Sequence, residues 1–379
     1  MSHSIVNLPT PGPRVAGGYV FAGGGTGGHL FPAIAVAQAL RARDPECPLL
    51  FVGTNRLQEQ QIVGGAGFAH LPLPLLPRRQ GWRHPIRFTS ALWRSCRQLR
   101  ALYCDSPPRV VIGCGGWSSF PAVWAARRQQ VPIVLLEQNV LPGKGTRRLS
   151  RWADAVCLSF EESRQWLPKN TNSIVTGNPV RTEIATLASR HVDPHFEATP
   201  PLLLVLGGSL GSESINRLIP TWLSSDPALA HRWEIVHQTG SHDVQWVRDE
   251  YARMDVSARV EPFLTDIPEL LARATFVICR AGATTLAEIA CAGVAAVTIP
   301  WRGAAHDHQQ KNGEWYASRN AMGLASQVSG KLELPVWIDD NNRDSRASLR
   351  RDVRALARPH ATQAVIAVLD VTASPPVRS

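Results

Sequence analysis

Long apolar runs and paired cysteines are missing from this sequence, and each absence excludes a class of protein. No apolar run approaches the roughly 18 residues of a membrane-spanning helix, and polar residues and prolines occupy the start, where a signal peptide needs an apolar core. The seven cysteines include no Cys-x-x-Cys pair. Several lie in apolar stretches, where a reduced thiol behaves as a small hydrophobic group. We therefore expect a cytosolic protein that neither spans a membrane nor is exported through a signal peptide.

Acidic residues are also scarce. The 379 residues include 30 Asp and Glu against 40 Lys and Arg, which gives a formal net charge of +10. This balance favours an anionic partner: nucleic acid, a phosphorylated metabolite or an acidic membrane surface. Charge alone does not decide among them. The length allows two domains of about 150 to 200 residues, each with its own core.

Short apolar runs alternate with helical patterns twice along the chain. The first series extends from Tyr19 to Leu158, and the second restarts at Leu202 and continues to Ile299. This alternation predicts α/β domains whose parallel sheets are covered by helices on both faces. A hinge and linker are predicted between residues 176 and 201. We expect two doubly wound, Rossmann-like domains, residues 1–178 and 179–379, that face a cleft.

Three glycine-rich loops, residues 22–29, 113–119 and 207–212, each follow a predicted strand. So much glycine at strand ends indicates backbone that comes close to a ligand. The first and third loops lead into predicted helices, whose N-terminal N–H groups attract anionic oxygen. The first loop also fits the dinucleotide pattern Gly-x-Gly-x-x-Gly, but the second strand ends in Gly53-Thr54-Asn55 without an acidic residue for the ribose. We therefore expect a diphosphate on each side of the cleft rather than a nicotinamide cofactor.

Residues 71–102 contain seven arginines and no acidic residue, interleaved with large apolar side chains. Such a composition is typical of a surface that lies among anionic lipid headgroups. It is equally typical of an amphipathic helix whose apolar side is core. Nucleic acid ranks third, because no recognisable binding module accompanies the segment. On the first interpretation, the membrane patch comprises Arg79, Trp82, Arg83, Arg87, Phe88 and Trp93.

The second half carries a predicted nucleoside site. Small residues begin the helix that follows Arg280, and Glu288 can accept two hydrogen bonds from ribose. The paired amides of Gln309 and Gln310 suit the hydroxyls of a sugar. Neighbouring histidines in one loop rarely converge on a metal, and the sequence has no Asp-x-Asp triad, so we expect no obligatory metal and no cofactor.

Seven motifs, collinear from about residue 19 to 312, resemble the MurG family of peptidoglycan glycosyltransferases, the lipid II synthases of glycosyltransferase family 28. They are the first glycine loop with Phe31-Pro32, Gly115-Gly116-Trp117-Ser118, Glu137-Gln138-Asn139, Gly177-Asn178-Pro179-Val180-Arg181, Gly207-Gly208-Ser209, the helix of residues 282–288, and Gln309-Gln310.

The resemblance implies a GT-B fold and an inverting N-acetylglucosaminyltransferase. Its donor, UDP-N-acetylglucosamine (UDP-GlcNAc), is expected mainly on the C-terminal domain. Its acceptor is the 4-hydroxyl of MurNAc in lipid I (undecaprenyl-diphospho-MurNAc-pentapeptide), and its products are lipid II and UDP. A peripheral position on the cytoplasmic face of the cell inner membrane and cell-wall synthesis partners are implied as well. Two alternatives stay open: a GT-B enzyme with another acceptor, and a non-catalytic lipid-associated protein that binds sugar nucleotides.

The resemblance also assigns roles to residues. It places Thr26, Gly27 and Gly28 near the transferred sugar and the acceptor diphosphate, with Asn139 on a sugar hydroxyl. It places Arg181 and Ser209 at the donor diphosphate, Leu264 at uracil through its backbone, and Gln310 at GlcNAc, with Gln309 beside it among the substrate-binding residues. The nucleoside and phosphate are expected at Ala283, Thr284, Thr285, Leu286, Ala287 and Glu288, and the acceptor loop at Gly115, Gly116, Trp117 and Ser118. The chain departs from the family pattern at Trp117, Phe120, Thr146 and Leu210. We expect Phe120 to narrow the acceptor loop and Leu210 to weaken donor binding.

Inversion requires a base that deprotonates the acceptor hydroxyl. His29 is the leading candidate, because a helix N-terminus disfavours imidazolium and keeps the ring able to take a proton. The alternative roles of His29 are a hydrogen bond to the loop or to a phosphate, and Glu137 is the alternative base.

Overall fold

The computed structural model describes residues 15–24, 27–76, 84–190, 198–208, 211–301, 307–325, 327–328, 331–332 and 343–374. Within these ranges the chain forms two α/β domains, each built on a parallel sheet, as the alternation of patterns predicted. No helix among the described residues is long and apolar enough to cross a bilayer.

The N-terminal domain contains a seven-stranded sheet with the order β3-β2-β1-β4-β5-β6-β7. Its strands are β1 Tyr19–Gly23, β2 Leu49–Thr54, β3 Ala69–Leu73, β4 Val110–Gly115, β5 Ile133–Glu137, β6 Ala155–Leu158 and β7 Ser173–Val175. Its helices are α1 Gly27–Arg43, α2 Leu57–Gly65, α3 Pro85–Asp105, α4 Phe120–Arg128 and α5 Lys144–Leu149, with 3-10 turns at Trp117–Ser119 and Glu161–Trp166.

The C-terminal domain contains a six-stranded sheet with the order β10-β9-β8-β11-β12-β13. After α6 Thr182–Ala185 and a 3-10 turn at Thr186–Ser189, its elements are β8 Leu202–Leu206, α7 Glu213–Ser224, α8 Pro227–Arg232, β9 Glu234–Gln238, α9 Val244–Arg253, β10 Ala258–Glu261, α10 Ile267–Arg273, β11 Phe276–Cys279, α11 Ala283–Ala292, β12 Ala295–Thr298, α12 His308–Ala317 and β13 Gly323–Leu324. A small antiparallel pair follows, β14 Gln327–Val328 and β15 Lys331–Leu332, and then come α13 Arg343–Ala355 and α14 Ala361–Ala373.

The last helix, α14, returns to the N-terminal domain. Val365 and Leu369 are fully buried in the same core cluster as Phe21 of β1 and Ala33 of α1. Arg43 at the end of α1 forms an ion pair with Asp370, with 2.6 Å between Nη1 and Oδ2. The C-terminal segment therefore packs against the N-terminal sheet.

The first sheet order brings the first two glycine loops together, and the second brings the third glycine loop beside the loop after β11. In each sheet the order reverses direction at one pair of neighbouring strands, β1 and β4 in the first and β8 and β11 in the second. Ligands of open α/β sheets bind where the order reverses, beyond the carboxyl ends of the strands. The loops after β1 and β4 lie at the first of these positions, and the loops after β8 and β11 lie at the second.

Candidate functional site

A cleft of about 1770 Å³ lies between the two domains and is lined by residues of both. Its walls include the start of α1, the loop after β4, the end of β5, the loop after β8 and the start of α11. All three glycine loops contribute, through Gly27 and Gly28, through Gly116, and through Gly207 and Gly208. The predicted cleft thus has glycine-rich backbone on both sides.

The first loop holds His29 at the mouth of the cleft. Helix α1 begins at Gly27, within the loop and earlier than its apolar pattern predicts, so His29 belongs to the first helical turn. The imidazole Nδ1 lies 3.1 Å from Oε1 of Gln138, which follows β5. Thr26 lies outside the described residues.

A proline in α1 frees a carbonyl that then joins the two domains. Pro32 has no N–H and cannot bond the carbonyl of Gly28 four residues earlier. The hydroxyl of Thr284, at the start of α11, donates to that carbonyl over 3.0 Å. The amide of Asn178 in the hinge donates to the same hydroxyl over 3.4 Å. One threonine therefore connects the first glycine loop, the hinge and the C-terminal domain.

The second loop combines tight backbone with an aromatic stack. Gly115 and Gly116 have φ of +110° and +77°, values that side chains rarely tolerate. Trp117 stacks on Phe88 of α3 and on Phe120 of α4, with ring centroids 5.7 and 5.2 Å apart. All three rings line the cleft. Phe120, which we expected to narrow the acceptor loop, extends an apolar wall of the cleft.

Glu137, at the end of β5, holds the segment that follows it. Its carboxylate accepts hydrogen bonds from the backbone N–H and the amide of Asn139, both at 3.1 Å, and from the backbone N–H of Gly143 at 3.0 Å. The Asn139 Oδ1 accepts a further bond from Asn312 of α12 over 3.1 Å. Asn312 is fully buried and also accepts from the N–H of Val140 at 3.0 Å. The segment is therefore attached to both domains.

The side of the cleft formed by the hinge and α11 contains a buried ion pair. Arg181 donates through Nε and Nη2 to the two carboxylate oxygens of Glu288, over 2.9 and 3.1 Å. Burial raises the pKa of the Glu288 carboxyl, and the neighbouring guanidinium of Arg181 opposes that shift. The guanidinium also lies 5.4 Å from the ring centroid of Phe31.

The third glycine loop precedes α7, where a second arginine lies. Ser212 is the N-cap of α7 and accepts a bond from the N–H of Ile215 over 3.4 Å. Arg280, after β11, donates to the carbonyl of Ile299 and to the hydroxyl of Ser214 in the first turn of α7. Burial lowers the pKa of Arg280 to about 10. A cation thus lies beside the positive end of a helix, an arrangement that an anion would stabilise.

Two domain models match the chain. A model of the glycosyltransferase family 28 N-terminal domain covers residues 19–158, and one of the family 28 C-terminal domain covers residues 202–331. This chain belongs to glycosyltransferase family 28.

Individual relatives agree with the family 28 assignment. The UDP-N-acetylglucosamine--N-acetylmuramyl-(pentapeptide) pyrophosphoryl-undecaprenol N-acetylglucosamine transferase of Syntrophotalea carbinolica is 39% identical over 92% of this chain and 97% of its own length. The protein of the same name from Trichlorobacter lovleyi is 34% identical over 92% of this chain and 96% of its own length. The crystal structure of Acinetobacter baumannii MurG has a TM-score of 0.69 and 26% identity, over 93% of this chain and 99% of its own. The GT-B expectation is confirmed.

Several residues predicted for the family 28 cleft already have protein partners. The amide of Asn139, expected at a sugar hydroxyl, is held between Glu137 and Asn312. The carboxylate of Glu288, expected at ribose, and the guanidinium of Arg181, expected at the diphosphate, bond to each other. All three nonetheless line the cleft.

Other predicted residues differ in whether they reach the cleft. Ala283, Thr284 and Thr285 line the cleft, but Leu286 is fully buried in the core and Ala287 packs against that core, because α11 turns these side chains away. In α12, Gln309 lines the cleft and bonds the N–H of Trp301, whereas Gln310 bonds Glu314.

Leu264, expected at uracil through its backbone, lines the cleft, and its N–H donates to Gln238 over 3.0 Å. In the second loop, Gly116 and Trp117 line the cleft, whereas Ser118 is buried and Gly115 lies behind the wall, against His29. Ser209 and Leu210 lie outside the described residues.

The predicted membrane patch is only partly described, because Arg79, Trp82 and Arg83 lie outside the described residues. Phe88 belongs to the aromatic wall of the cleft, whereas Trp93 is 61% exposed on α3. The opposite side of α3 is buried, as the interpretation of an amphipathic helix with an apolar core side predicts.

Three polar residues without a predicted role hold parts of the site together. Gln138 fixes His29, Asn312 joins the domains, and Gln238 donates to the carbonyl of Gly208 over 2.9 Å while it accepts from Leu264. A polar side chain directly after a predicted buried strand was the available signal for Gln138 and Gln238, since such positions border the ligand crevice.

Proposed function

We propose that this protein transfers GlcNAc from UDP-GlcNAc to the 4-hydroxyl of MurNAc in lipid I, which yields lipid II and UDP. One observation carries the proposal: a titratable ring, His29, lies in a cleft shared by two glycine-rich domains, in a chain that matches transferases of that name over nine-tenths of its length. The glycine loops accommodate the diphosphates of the donor and the acceptor.

In this mechanism the donor diphosphate lies at the start of α7. The backbone of Gly207, Gly208 and Gly211 leaves room for a close approach, and the helix end supplies a positive potential. Arg280 supplies the formal charge there, while Arg181 is engaged by Glu288. Together they stabilise the negative charge that develops on UDP as it leaves.

His29 acts as the base. Its Nε2 takes the proton of the acceptor hydroxyl as the hydroxyl oxygen attacks the anomeric carbon. The bond from that carbon to the phosphate oxygen breaks, UDP leaves with the electron pair, and the anomeric configuration inverts. Glu137 is the weaker candidate, because its carboxylate already accepts three hydrogen bonds that hold the segment after β5.

Radiolabelled UDP-GlcNAc incubated with lipid I tests the proposal. We expect label in lipid II and stoichiometric UDP, with turnover lowered by about 10²-fold or more in His29→Gln. Donor affinity should change little in that variant. Transfer to a different acceptor, or donor binding with no transfer to any acceptor, would contradict the proposed reaction.

We propose further that the protein works peripherally on the cytoplasmic face of the cell membrane, with the outer face of α3 against anionic lipid. Ile86 and Trp93 are 83% and 61% exposed there. Arg87, Arg94 and Arg97 are exposed on the same helix, and the Arg97 guanidinium lies 5.4 Å from the Trp93 ring. Basic residues near an anionic surface contribute about 1 kcal/mol each.

Charge reversal tests this docking surface. Replacement of Arg87, Arg94 and Arg97 by Glu should abolish co-sedimentation with anionic phospholipid vesicles at low salt. The control carries the same change at three exposed arginines of the C-terminal domain, Arg217, Arg232 and Arg253. Equal binding by the two triple variants would show that α3 does not dock.

A further inference from the structure

The amide of Gln138 has one allowed orientation. Gln138 is 3% exposed and lies between His29 and the backbone carbonyl of Cys114, at the end of β4. A carbonyl oxygen only accepts hydrogen bonds, so the group that faces Cys114 over 3.3 Å is the Gln138 NH₂. Rotation of the amide by half a turn would place two acceptor oxygens against each other. The Gln138 Oε1 therefore faces His29.

That orientation decides which ring nitrogen of His29 carries the proton. The Gln138 Oε1 lies 3.1 Å from Nδ1 of the imidazole and accepts only. The Nδ1 must therefore be protonated, and in the neutral ring the lone pair then lies on Nε2. Within the described residues, the ring has no other hydrogen-bond partner.

We propose that Gln138 is a positioning residue that fixes His29 as the Nδ1-protonated tautomer and leaves the lone pair of Nε2 for the acceptor hydroxyl. This inference rests on the proposed transferase function, in which His29 is the base. The chain of contacts runs from the Cys114 carbonyl through the Gln138 amide to the imidazole, and each donor in it has one acceptor.

The backbone behind the ring completes the arrangement. A Cβ atom at Gly115 would lie 2.6 Å from Nδ1 of His29, so only glycine leaves room for the imidazole. Gly115 also has a φ of +110°, which side chains rarely adopt. The ring is thus confined by the end of β4 and held at Nδ1 by Gln138.

A neutral amide suits this role better than a carboxylate. A carboxylate beside the ring would favour imidazolium, which cannot take a further proton. The neighbouring acidic residue, Glu137, is turned toward Asn139 and Gly143 instead. Gln138 therefore selects the tautomer without holding the ring in its charged form.

The first test is spectroscopic and needs no substrate. In ¹⁵N-labelled protein at alkaline pH, His29 should show a protonated, pyrrole-type Nδ1 and a pyridine-type Nε2. The chain has 12 histidines, and the spectrum of His29→Gln identifies the signals of this one. Gln138→Met, similar in shape but without an acceptor, should shift the ring toward the other tautomer. A pyridine-type Nδ1 in the unaltered protein would overturn the proposal.

The second test is a kinetic double-mutant cycle. Gln138→Met should lower kcat about tenfold, the scale of one hydrogen bond, with little change in the KM for UDP-GlcNAc. In the His29→Gln background the same replacement should cost nothing further, because Gln138 acts through the ring. If Gln138→Met lowers kcat by the same factor in the His29→Gln background as in the unaltered protein, Gln138 has a structural role only.

The two proposals fail separately: absence of transfer to lipid I in the unaltered protein refutes the function, whereas the ring spectrum alone decides the tautomer.

Discussion

Replacing each member of the pair formed by Arg181 and Glu288 tests whether the Glu288 carboxylate binds ribose or has only a structural role. The Glu288 side chain is 7% exposed and that of Arg181 is 25% exposed, with bonds of 2.9 and 3.1 Å between them. Glu288→Gln removes the charge and keeps the shape. Arg181→Met leaves a buried carboxylate without its cation. The two changes therefore perturb stability and donor binding in different proportions.

The expected loss of stability is larger for Arg181→Met. Removal of one partner of a buried ion pair costs about 3 to 5 kcal/mol, and partial exposure of Arg181 places this case near 3 kcal/mol. Because burial raises the pKa of Glu288, the orphaned carboxyl takes up a proton as pH falls, and the loss shrinks at acidic pH. Glu288→Gln should cost only about 1 kcal/mol, because its amide still accepts a bond from Arg181.

Donor binding should change in the opposite order, with the larger loss in Glu288→Gln. A charge-assisted bond from ribose to a carboxylate is worth about 1.5 to 3 kcal/mol, so Glu288→Gln should raise the KM for UDP-GlcNAc by about tenfold or more. Urea unfolding measures stability, and initial rates with UDP titration measure donor binding. Glu183→Gln, an exposed glutamate at the start of α6, is the control. An unchanged donor KM in Glu288→Gln would assign Glu288 to structure alone.

Three further predictions concern buried residues. His237 is buried between Tyr251 and Asn216, and burial lowers its pKa to about 3 against an ordinary 6.5. As pH falls, His237 is protonated in the unfolded chain before it is protonated in the folded protein. Between pH 7 and pH 5, urea titrations should therefore show that the free energy of unfolding falls by about 2 kcal/mol more in the unaltered protein than in His237→Gln. Asn312→Ala should lower the free energy of unfolding by about 2 kcal/mol, since it orphans the buried N–H of Val140; an unchanged urea midpoint would contradict this. Gly115→Ala should abolish transfer while UDP binding persists, because the added Cβ displaces the imidazole; normal turnover would refute that geometry.

The central strands could be predicted from sequence because both of their faces are buried. Leu202–Leu206 and Phe276–Cys279 are buried at every position, so each reads as a continuous apolar run. The edge strands were missed for the opposite reason. Ala69–Leu73 and Ser173–Val175 are mostly half-buried or exposed, and their patterns do not differ from those of loops.

The glycine loops were visible in the sequence because close backbone approach and positive φ values impose a residue type. Gly115 and Gly208 have φ of +110° and +89°. The start of α1 at Gly27 lies before its apolar pattern, because glycine has a low helix propensity, which the neighbouring structure overrides at Gly27 and Gly28.

The sequence by itself determined the two domains, the buried strands and the positions of the ligand loops, because these follow from local patterns of apolar residues and glycine. It did not determine which polar groups meet. Arg181 and Glu288 are 107 residues apart, and His29 and Gln138 are 109 apart. Only the order of strands in the sheet brings the ends of β1, β4 and β5 to one edge, and there the Cys114 carbonyl orients Gln138 toward the imidazole. Hydrogen-bond partners depend on distances of a few ångströms in three dimensions, which no local pattern specifies.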